Sequence, residues 1–471
     1  VSPYPWTIAE VLAASGGSLI SGSQEPLFAG IGIDSRKIGP DQLFVAIVGE
    51  SHDGHRFVGD VIDRGVKGVM VAGDRRADLP LDRLAAQGTS VVAVADTTRA
   101  LGALARYNRN RHPLKVVAIT GSNGKTSTRM LMEPVIAQKY ETLSTTGNLN
   151  NHIGLPLILL GLTPAHRAAV LELGMNHAGE ISYLGNICQP DTGVITNVAP
   201  AHLEGLGSIE NVARAKAELL ACIRPGGTAI LNADDERVAA LADGLDRPVI
   251  FFGTASRAQV RGDDIRLTEA GLAFRLTTPS GSLPVTLATP ARVMVYNALA
   301  AAAAGEVMGV PPEGIKAGLE AFSPQAGRMG IRRPGREIRL LDDTYNANPG
   351  SMLAAVETLT RMRGQGRTIA VLGDMLELGA QSAALHRQIG RAVADARIDR
   401  LYVAGRFATD VADGASEARM PAANIVCGTK EEIADRLCEE LQDFDVILVK
   451  GSRGMAMEDV IAAIVRWAQT Q

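Results

Sequence analysis

Lys115-Val-Val-Ala-Ile-Thr-Gly-Ser-Asn-Gly-Lys-Thr126 is the stretch on which the fold turns. Its apolar run, Val116 to Ile119, reads as a parallel strand buried on both faces. A glycine-bounded turn follows, and a helical pattern starts at Lys125. Strand, glycine turn and helix in that order are the setting of a phosphate-binding loop. Glycines let backbone N–H groups approach phosphates, the lysine offsets their charge, the threonine hydroxyl reaches magnesium, and the helix N-terminus favours an anion. Gly121, Ser122, Asn123, Gly124, Lys125 and Thr126 are therefore candidates to hold a triphosphate. The loop is shorter than the general pattern, because Ile119 stands where a first glycine would be. Alone it does not separate an ATPase from a kinase, a ligase or a switch protein, and a plain glycine turn is the competing reading.

Outward from this loop, further apolar runs occur at Ala169–Leu173, Gly193–Thr196, Thr228–Leu231 and Val249–Phe252. Helical patterns separate several of them, which predicts a doubly wound sheet. Between Asp264 and Leu287 the pattern alternates and is broken by turns, as in an antiparallel meander. A helix around Tyr296–Met308 closes this block. Before the loop, Leu43–Val48, Gly68–Val71 and Val91–Val94 read as short strands. A helix over Ala100–Asn110 leads to His112-Pro113, where the proline suggests a boundary. Beyond Ser323, strand candidates at Ile338–Leu341, Thr368–Leu372, Leu401–Val403 and Val446–Val449 alternate with helices and suggest a second, smaller Rossmann-like unit. The prediction is an α/β protein of three domains: a small α/β domain over 1–112, a central doubly wound phosphate-loop domain with its meander over 113–322, and a C-terminal Rossmann-like domain over 323–471.

The 471 residues exceed what one ordinary core accommodates, which agrees with several domains. A formal net charge of -4 gives no general attraction to nucleic acid, and scarce aromatics offer no platform for bases. Cys188, Cys222, Cys427 and Cys438 are scattered, which argues against a zinc site or a disulfide framework. Val1–Trp6 lacks the basic and apolar regions of a signal peptide, and the Ala-rich Ala298–Ala304 is far too short to span a membrane. A reduced, cytoplasmic setting is expected.

Ser208–Ile223 reads as a helix with Ser208 as N-cap and Glu210 in its first turn. Its apolar face holds Ile209, Val212, Ala213, Leu219, Leu220 and Ile223, and the helical period puts Lys216 in the middle of that face. Such a lysine is costly unless it is paired, modified or lining a site, and burial lowers its pKa. The competing reading is a lysine that snorkels from the edge of the core. Arg214 and Glu218 are spaced for an i,i+4 pair. Glu172 ends one apolar run and His202 follows another, so both are expected near the carboxyl ends of the strands, where ligands collect. A carboxylate and the Thr126 hydroxyl suit magnesium. Imidazole is an unusual magnesium partner, and His202 read alone is more often a hydrogen-bonding loop residue.

Several strings taken together resemble the Mur ligases of bacterial cell-wall synthesis, over nearly the whole chain. They are Asp34-Ser-Arg36, Leu43-Phe-Val-Ala46, Gly49-Glu50 and Asp53-Gly-His55 in the first block. The second holds the short phosphate loop, Thr145-Thr-Gly-Asn-Leu-Asn-Asn-His-Ile-Gly154, Glu172-Leu-Gly-Met-Asn-His177, Gly179-Glu-Ile181, Thr196-Asn197, His202-Leu-Glu204 and Ala215-Lys-Ala-Glu218. The third gives Gly327-Arg328, Asp342-Asp-Thr-Tyr-Asn-Ala-Asn-Pro349, Leu372-Gly-Asp-Met-Leu-Glu-Leu-Gly379 and Lys450-Gly-Ser-Arg453.

The resemblance implies an ATP- and Mg2+-dependent ligase that joins D-alanyl-D-alanine to UDP-N-acetylmuramoyl-tripeptide through an acyl phosphate. It implies a first domain that binds the uridine diphosphate, a middle one that binds ATP, and a last one that carries the amine substrate and completes the ATP site on closing. Residue by residue, Lys125, Glu172, His202 and Lys216 would be catalytic. Thr126, Glu172, His202 and a carbamylated Lys216 would hold the metal ions. Asn297, Arg328 and Asp343 would meet ATP beside the loop. Ser35 and Arg36 would meet the uridine diphosphate, while Thr145, Thr146 and Asn148 would follow the muramoyl peptide. Asn346, Asn348, Lys450 and Arg453 are candidates for the dipeptide, with turn chemistry and surface charge as their competing reading. No nucleic-acid partner and no membrane span are implied, and a monomer is expected.

One departure stands out. Relatives commonly carry a His-Asn pair just before the helix that holds Asn297, and here Val293 and Met294 occupy those places. Two rival functions follow. One is the related ligase that adds the third amino acid, whose Asp-Asn-Pro-Arg signature is absent. The other is a nucleotide-binding relative impaired in catalysis, for which Val293 and Met294 are the only support.

Overall fold

The computed structural model describes residues 5–49 and 52–470. Glu50, one carrier of the first-domain resemblance, and Val1–Tyr4 of the N-terminal stretch lie outside them. The described residues build three main sheets, one in each successive block, with an added two-stranded pair of Trp6–Thr7 and Leu27–Phe28.

The first main sheet has five strands, in the order Ser18–Ser21, Ser90–Val94, Gly68–Ala72, Gln42–Val45 and Gly30–Gly32. Only Ser18–Ser21 runs antiparallel to its neighbour. The helix Thr97–Asn110, capped by Asp96, ties this sheet to the central block: Ala100, Leu101 and Leu104 pack into the first core while Ala105 belongs to the next.

The central sheet has nine strands. Thr142–Ser144, Ala168–Glu172, Lys115–Thr120, Thr192–Ile195, Thr228–Asn232, Val249–Gly253 and Val260–Thr268 lie side by side and parallel. Gly271–Thr278 and Gly281–Leu287 then continue the same sheet antiparallel, as the alternating pattern predicts. Lys115–Thr120 sits between Ala168–Glu172 and Thr192–Ile195, so the carboxyl ends of these three strands open beside one another. The helix Val293–Met308 is buried along most of its length; its Ala298–Ala304 run lets it pack closely against the helix that follows the phosphate loop.

The third sheet has six strands, in the order Gly330–Arg332, Arg339–Asp343, Val446–Lys450, Thr368–Leu372, Arg400–Ala404 and Ile425–Gly428. All but the first, which is antiparallel, run parallel. Among the described residues no helix is long and apolar enough to cross a membrane.

Candidate active site

Behind the Lys115–Thr120 strand, Gly121 and Gly124 adopt positive φ of 152° and 80°. A side chain is barred at both places. A Cβ on Gly121 would lie 1.9 Å from Thr196 Oγ1, and one on Gly124 would lie 2.4 Å from Asn297 Oδ1. The loop therefore stays bare backbone, as close approach by phosphates requires. Neighbouring strand ends hold it. Thr196 Oγ1 (2.6 Å) and Asn197 Nδ2 (3.0 Å) donate to Asn123 O, and Asn123 N donates to Asn197 Oδ1 (2.9 Å). Lys125 opens the helix Lys125–Ala137, and its Nζ turns back to donate to Gly121 O (2.7 Å). Burial lowers the pKa of this ammonium and Arg328 adds to the effect, while Glu172 opposes it.

Glu172 is fully buried at the end of its strand. Thr126 Oγ1 donates to its Oε2 (3.0 Å), and Arg129 Nε, one helical turn beyond Thr126, donates to Oε1 (2.8 Å). Arg129 was not singled out by the sequence reading, although the three-residue spacing from Thr126 puts both on one helix face. Thr145 differs from expectation. Its side chain is fully buried and its Oγ1 accepts from Glu172 N (3.0 Å), so it orders the strand end beneath the cavity and does not face the peptide.

The Lys216 helix spans Ile209–Cys222, and Ser208 caps it by accepting from Asn211 N. Lys216 is only 1% exposed, so it does not snorkel. Burial, reinforced by Lys125, puts its pKa well below the ordinary lysine value. The anticipated Arg214–Glu218 pair does not form. Glu218 instead accepts from Gly179 N (2.7 Å) and Ser182 N (2.9 Å), and Arg214 donates to Asn211 Oδ1 (3.2 Å). Backbone donors at the start of a neighbouring helix offer Glu218 a better partner than a solvated guanidinium.

All three blocks contribute to one cavity of about 1160 Å3. The loop residues Ser122–Thr126 line it, with His202, Asn297, Arg328, Asp343, Asn346, Asn348, Lys450 and Arg453 around them. Asn148 also lines it, as do Thr98 and Arg99 of the first block. Glu172 and Lys216 stand behind its wall. His202, at φ 54°, pairs through Nδ1 with Glu377 Oε2 (2.7 Å) of the third block, and this contact holds the Glu377 carboxyl below its ordinary pKa. Asn348 Nδ2 donates to Asn123 Oδ1 (2.6 Å), so the third block touches the phosphate loop itself.

Lys450 is 2% exposed. Its ammonium is taken up by Asp343 Oδ2 (2.5 Å) and Asn346 O (2.7 Å), so it braces the loop at Asn346. Arg328 stacks over the Tyr345 ring at 3.9 Å, and burial lowers its pKa. Arg453 pairs with Glu458 Oε1 (2.6 Å). Val293 and Met294 line the cavity, and Asn297 turns its Nδ2 to Met294 Sδ (3.3 Å). Ser35 and Arg36 lie outside the cavity; Arg36 is bound to Asp34 and open to solvent. Thr146 is exposed and lies outside the cavity lining.

Family models describe the same three blocks: Mur ligase family, catalytic domain, over residues 27–109; Mur ligase middle domain over 119–305; and Mur ligase, glutamate ligase domain, over 327–453. The chain belongs to the Mur ligase family. It is 39% identical over 435 residues, 92% of each chain, to UDP-N-acetylmuramoyl-tripeptide–D-alanyl-D-alanine ligase of Escherichia coli. To the Bacillus subtilis enzyme of that name it is 32% identical, over 94% of each. A crystal structure of MurF from Acinetobacter baumannii superposes with a TM-score of 0.90 at 34% identity, covering 99% of this chain and 100% of that one. MurF from Thermotoga maritima in complex with ADP superposes with a TM-score of 0.82 at 26% identity, covering 94% and 98%. This Mur ligase thus has the family's three-domain α/β architecture, and the phosphate loop, Lys216 and Glu172 all fall within its middle domain.

Proposed function

We propose that this Mur ligase joins D-alanyl-D-alanine to the tripeptide carboxylate of UDP-N-acetylmuramoyl-tripeptide, with ATP cleaved to ADP and phosphate. The carrying observation is the convergence of all three blocks on one cavity around a phosphate loop. The names of the E. coli and B. subtilis relatives, matched over nearly the full length, support the choice of substrates. Domains 1–112, 113–322 and 323–471 would take the uridine-linked precursor, ATP and the dipeptide respectively.

A carboxylate is a poor electrophile, so it must first be activated. One of its oxygens attacks the γ-phosphorus of ATP, ADP leaves, and an acyl phosphate forms. The dipeptide amine then attacks the carbonyl carbon, gives up its proton, and expels phosphate with the original carboxylate oxygen. Gly121–Thr126 hold the triphosphate, and Lys125 offsets charge between the two anionic reactants. Closure of the third domain over the loop keeps water from the acyl phosphate. Asn297, Arg328 and Asp343 serve the nucleotide, Ser35 and Arg36 the uridine diphosphate, and Asn148 with Thr146 the muramoyl peptide. Asn346 and Arg453 face the dipeptide, with Lys450 acting through Asn346; Asn348, whose carboxamide is taken by Ser351 and Asn123, acts on that side only by position.

Magnesium fits the paired oxygen donors at Thr126 and Glu172, with His202 on the same cavity's wall as a further candidate, and would supply electrostatic stabilisation of the transferring phosphoryl group. Among the described residues no three His, Cys, Asp or Glu converge as a ready metal site. A carbamate on Lys216 would add the missing oxygens, and the depressed pKa of its amine favours reaction with CO2. A nucleotide-linked precursor and ATP put the reaction in the cytoplasm. Phosphate release tests the whole reading: it should require ATP, the UDP-tripeptide and D-alanyl-D-alanine together. Background turnover with all three present would reject it.

A further inference from the structure

The contact between Asn123 and Asn348 joins residues 225 apart and links two domains through one pair of carboxamides. Asn348 is also the N-cap of the helix Pro349–Arg361. Its Oδ1 accepts from Ser351 N (3.0 Å), and its backbone N donates to Ser351 Oγ (3.0 Å). Because the oxygen is taken by the cap, the amide nitrogen is the group that faces the loop, and Asn123 must present its oxygen. Only a primary amide of this length does both jobs. Aspartate would cap the helix but lack the donor, and serine would cap it but fall short of Asn123.

Both ends of this bridge are anchored. Asn123 is fixed by Thr196 and Asn197 at the strand end. On the other side, Ser452 Oγ donates to Ala347 O (3.2 Å) and accepts from Leu376 N (2.9 Å). Leu376 precedes Glu377, which reaches back to His202 (2.7 Å). Lys450 holds Asn346 O (2.7 Å) in the same cluster. The path from the phosphate loop through the dipeptide-side residues thus returns to the central domain as a closed ring.

We propose that Asn348 is a positioning residue that couples the two ends of the active site: nucleotide in the phosphate loop tightens the site for the dipeptide, and dipeptide tightens the site for nucleotide. Coupling between binding equilibria is reciprocal. One neutral hydrogen bond sets its scale at about fivefold in affinity in each direction. This inference rests on the ligase reading given above.

The test uses the full chain with its UDP-tripeptide, Mg2+ and β,γ-methylene ATP, so that no turnover occurs. Affinity for the nucleotide analogue is measured with and without D-alanyl-D-alanine in the parent, N348S, N123S and the double variant. N348S keeps the helix cap, and N123S leaves the C-terminal domain untouched, so the two guard each other against a folding artefact. The expected result is tightening of about fivefold in the parent, near one in both single variants, and no further loss in the double variant. Equal tightening in parent and N348S overturns the proposal. So does multiplication of the two losses in the double variant, or no tightening in a parent that still forms product. A parent that forms no product overturns the ligase reading, and the coupling with it.

Discussion

Replacing Arg129 by methionine keeps the aliphatic stem and removes the guanidinium that faces Glu172. The pair is 2.8 Å long, and its side chains are 7% and 0% exposed, so solvent screening does not soften the loss. Glu172 keeps the Thr126 hydroxyl and no other cation within ion-pair distance among the described residues. Breaking a buried pair from one side costs about 3 kcal/mol, because the remaining carboxylate is left uncompensated. Arg129 also meets Glu133, which is 42% exposed and contributes little. For a domain of this size the loss corresponds to a drop of about 6–12 °C in melting temperature. Calorimetry would follow the transition that Mg-ADP shifts upward, which identifies the nucleotide-binding domain. Arg129→Lys should fall between parent and Arg129→Met. The double variant R129M/E172Q should recover most of the loss, since neither partner is then charged. An Arg129→Met protein that melts within 2 °C of the parent (about 1 kcal/mol or less) would refute the reasoning.

Other perturbations bear on separate parts of the site. Lys216→Ala should be nearly inactive and partly rescued by short carboxylic acids in a turnover assay; absence of rescue would count against a carbamate. In CO2-free buffer, unmodified Lys216 binds its proton less well folded than unfolded, so stability rises with pH between its depressed pKa and the ordinary lysine value. Lys216→Met should therefore be more stable than the parent at neutral pH, by a margin that shrinks as pH rises, as read by denaturant titration. Lys125→Met should lower kcat by about a hundredfold or more, because the charge it offsets is greatest in the transition state; a change in KM alone would contradict that role. Ser208→Ala removes the cap of the Lys216 helix and should cost about 1 kcal/mol, with Ser208→Gly costing only tenths.

The phosphate loop and the inner strands of the sheet around it were legible because those strands are apolar runs and the loop is bounded by glycines; the edge strand Thr142–Ser144, with one apolar residue, was not. Lys216 was legible for a related reason: the 3.6-residue period leaves it no solvent face, and the fold buries it. Other features carry no local signal. Ile425–Gly428 is a short edge strand, half-exposed and without clear alternation. Glu377 meets His202 across 175 residues, and Asn348 meets Asn123 across 225; no spacing along the chain announces either contact. Thr145 and Lys450 are polar residues in site motifs, yet their side chains turn inward, to the Glu172 amide and to Asp343. A motif says which residues gather at a site, while burial and partners decide which of them face the ligand.

The most direct measurement follows the carboxylate oxygens. With UDP-N-acetylmuramoyl-tripeptide labelled with oxygen-18 in its reacting carboxylate, and with ATP and D-alanyl-D-alanine unlabelled, mass spectrometry reads the label in phosphate and in the ligated product. Activation through an acyl phosphate predicts that each phosphate released carries one labelled oxygen and each new amide keeps the other. Product formed with unlabelled phosphate would contradict attack of the carboxylate on the γ-phosphorus at the Gly121–Thr126 loop.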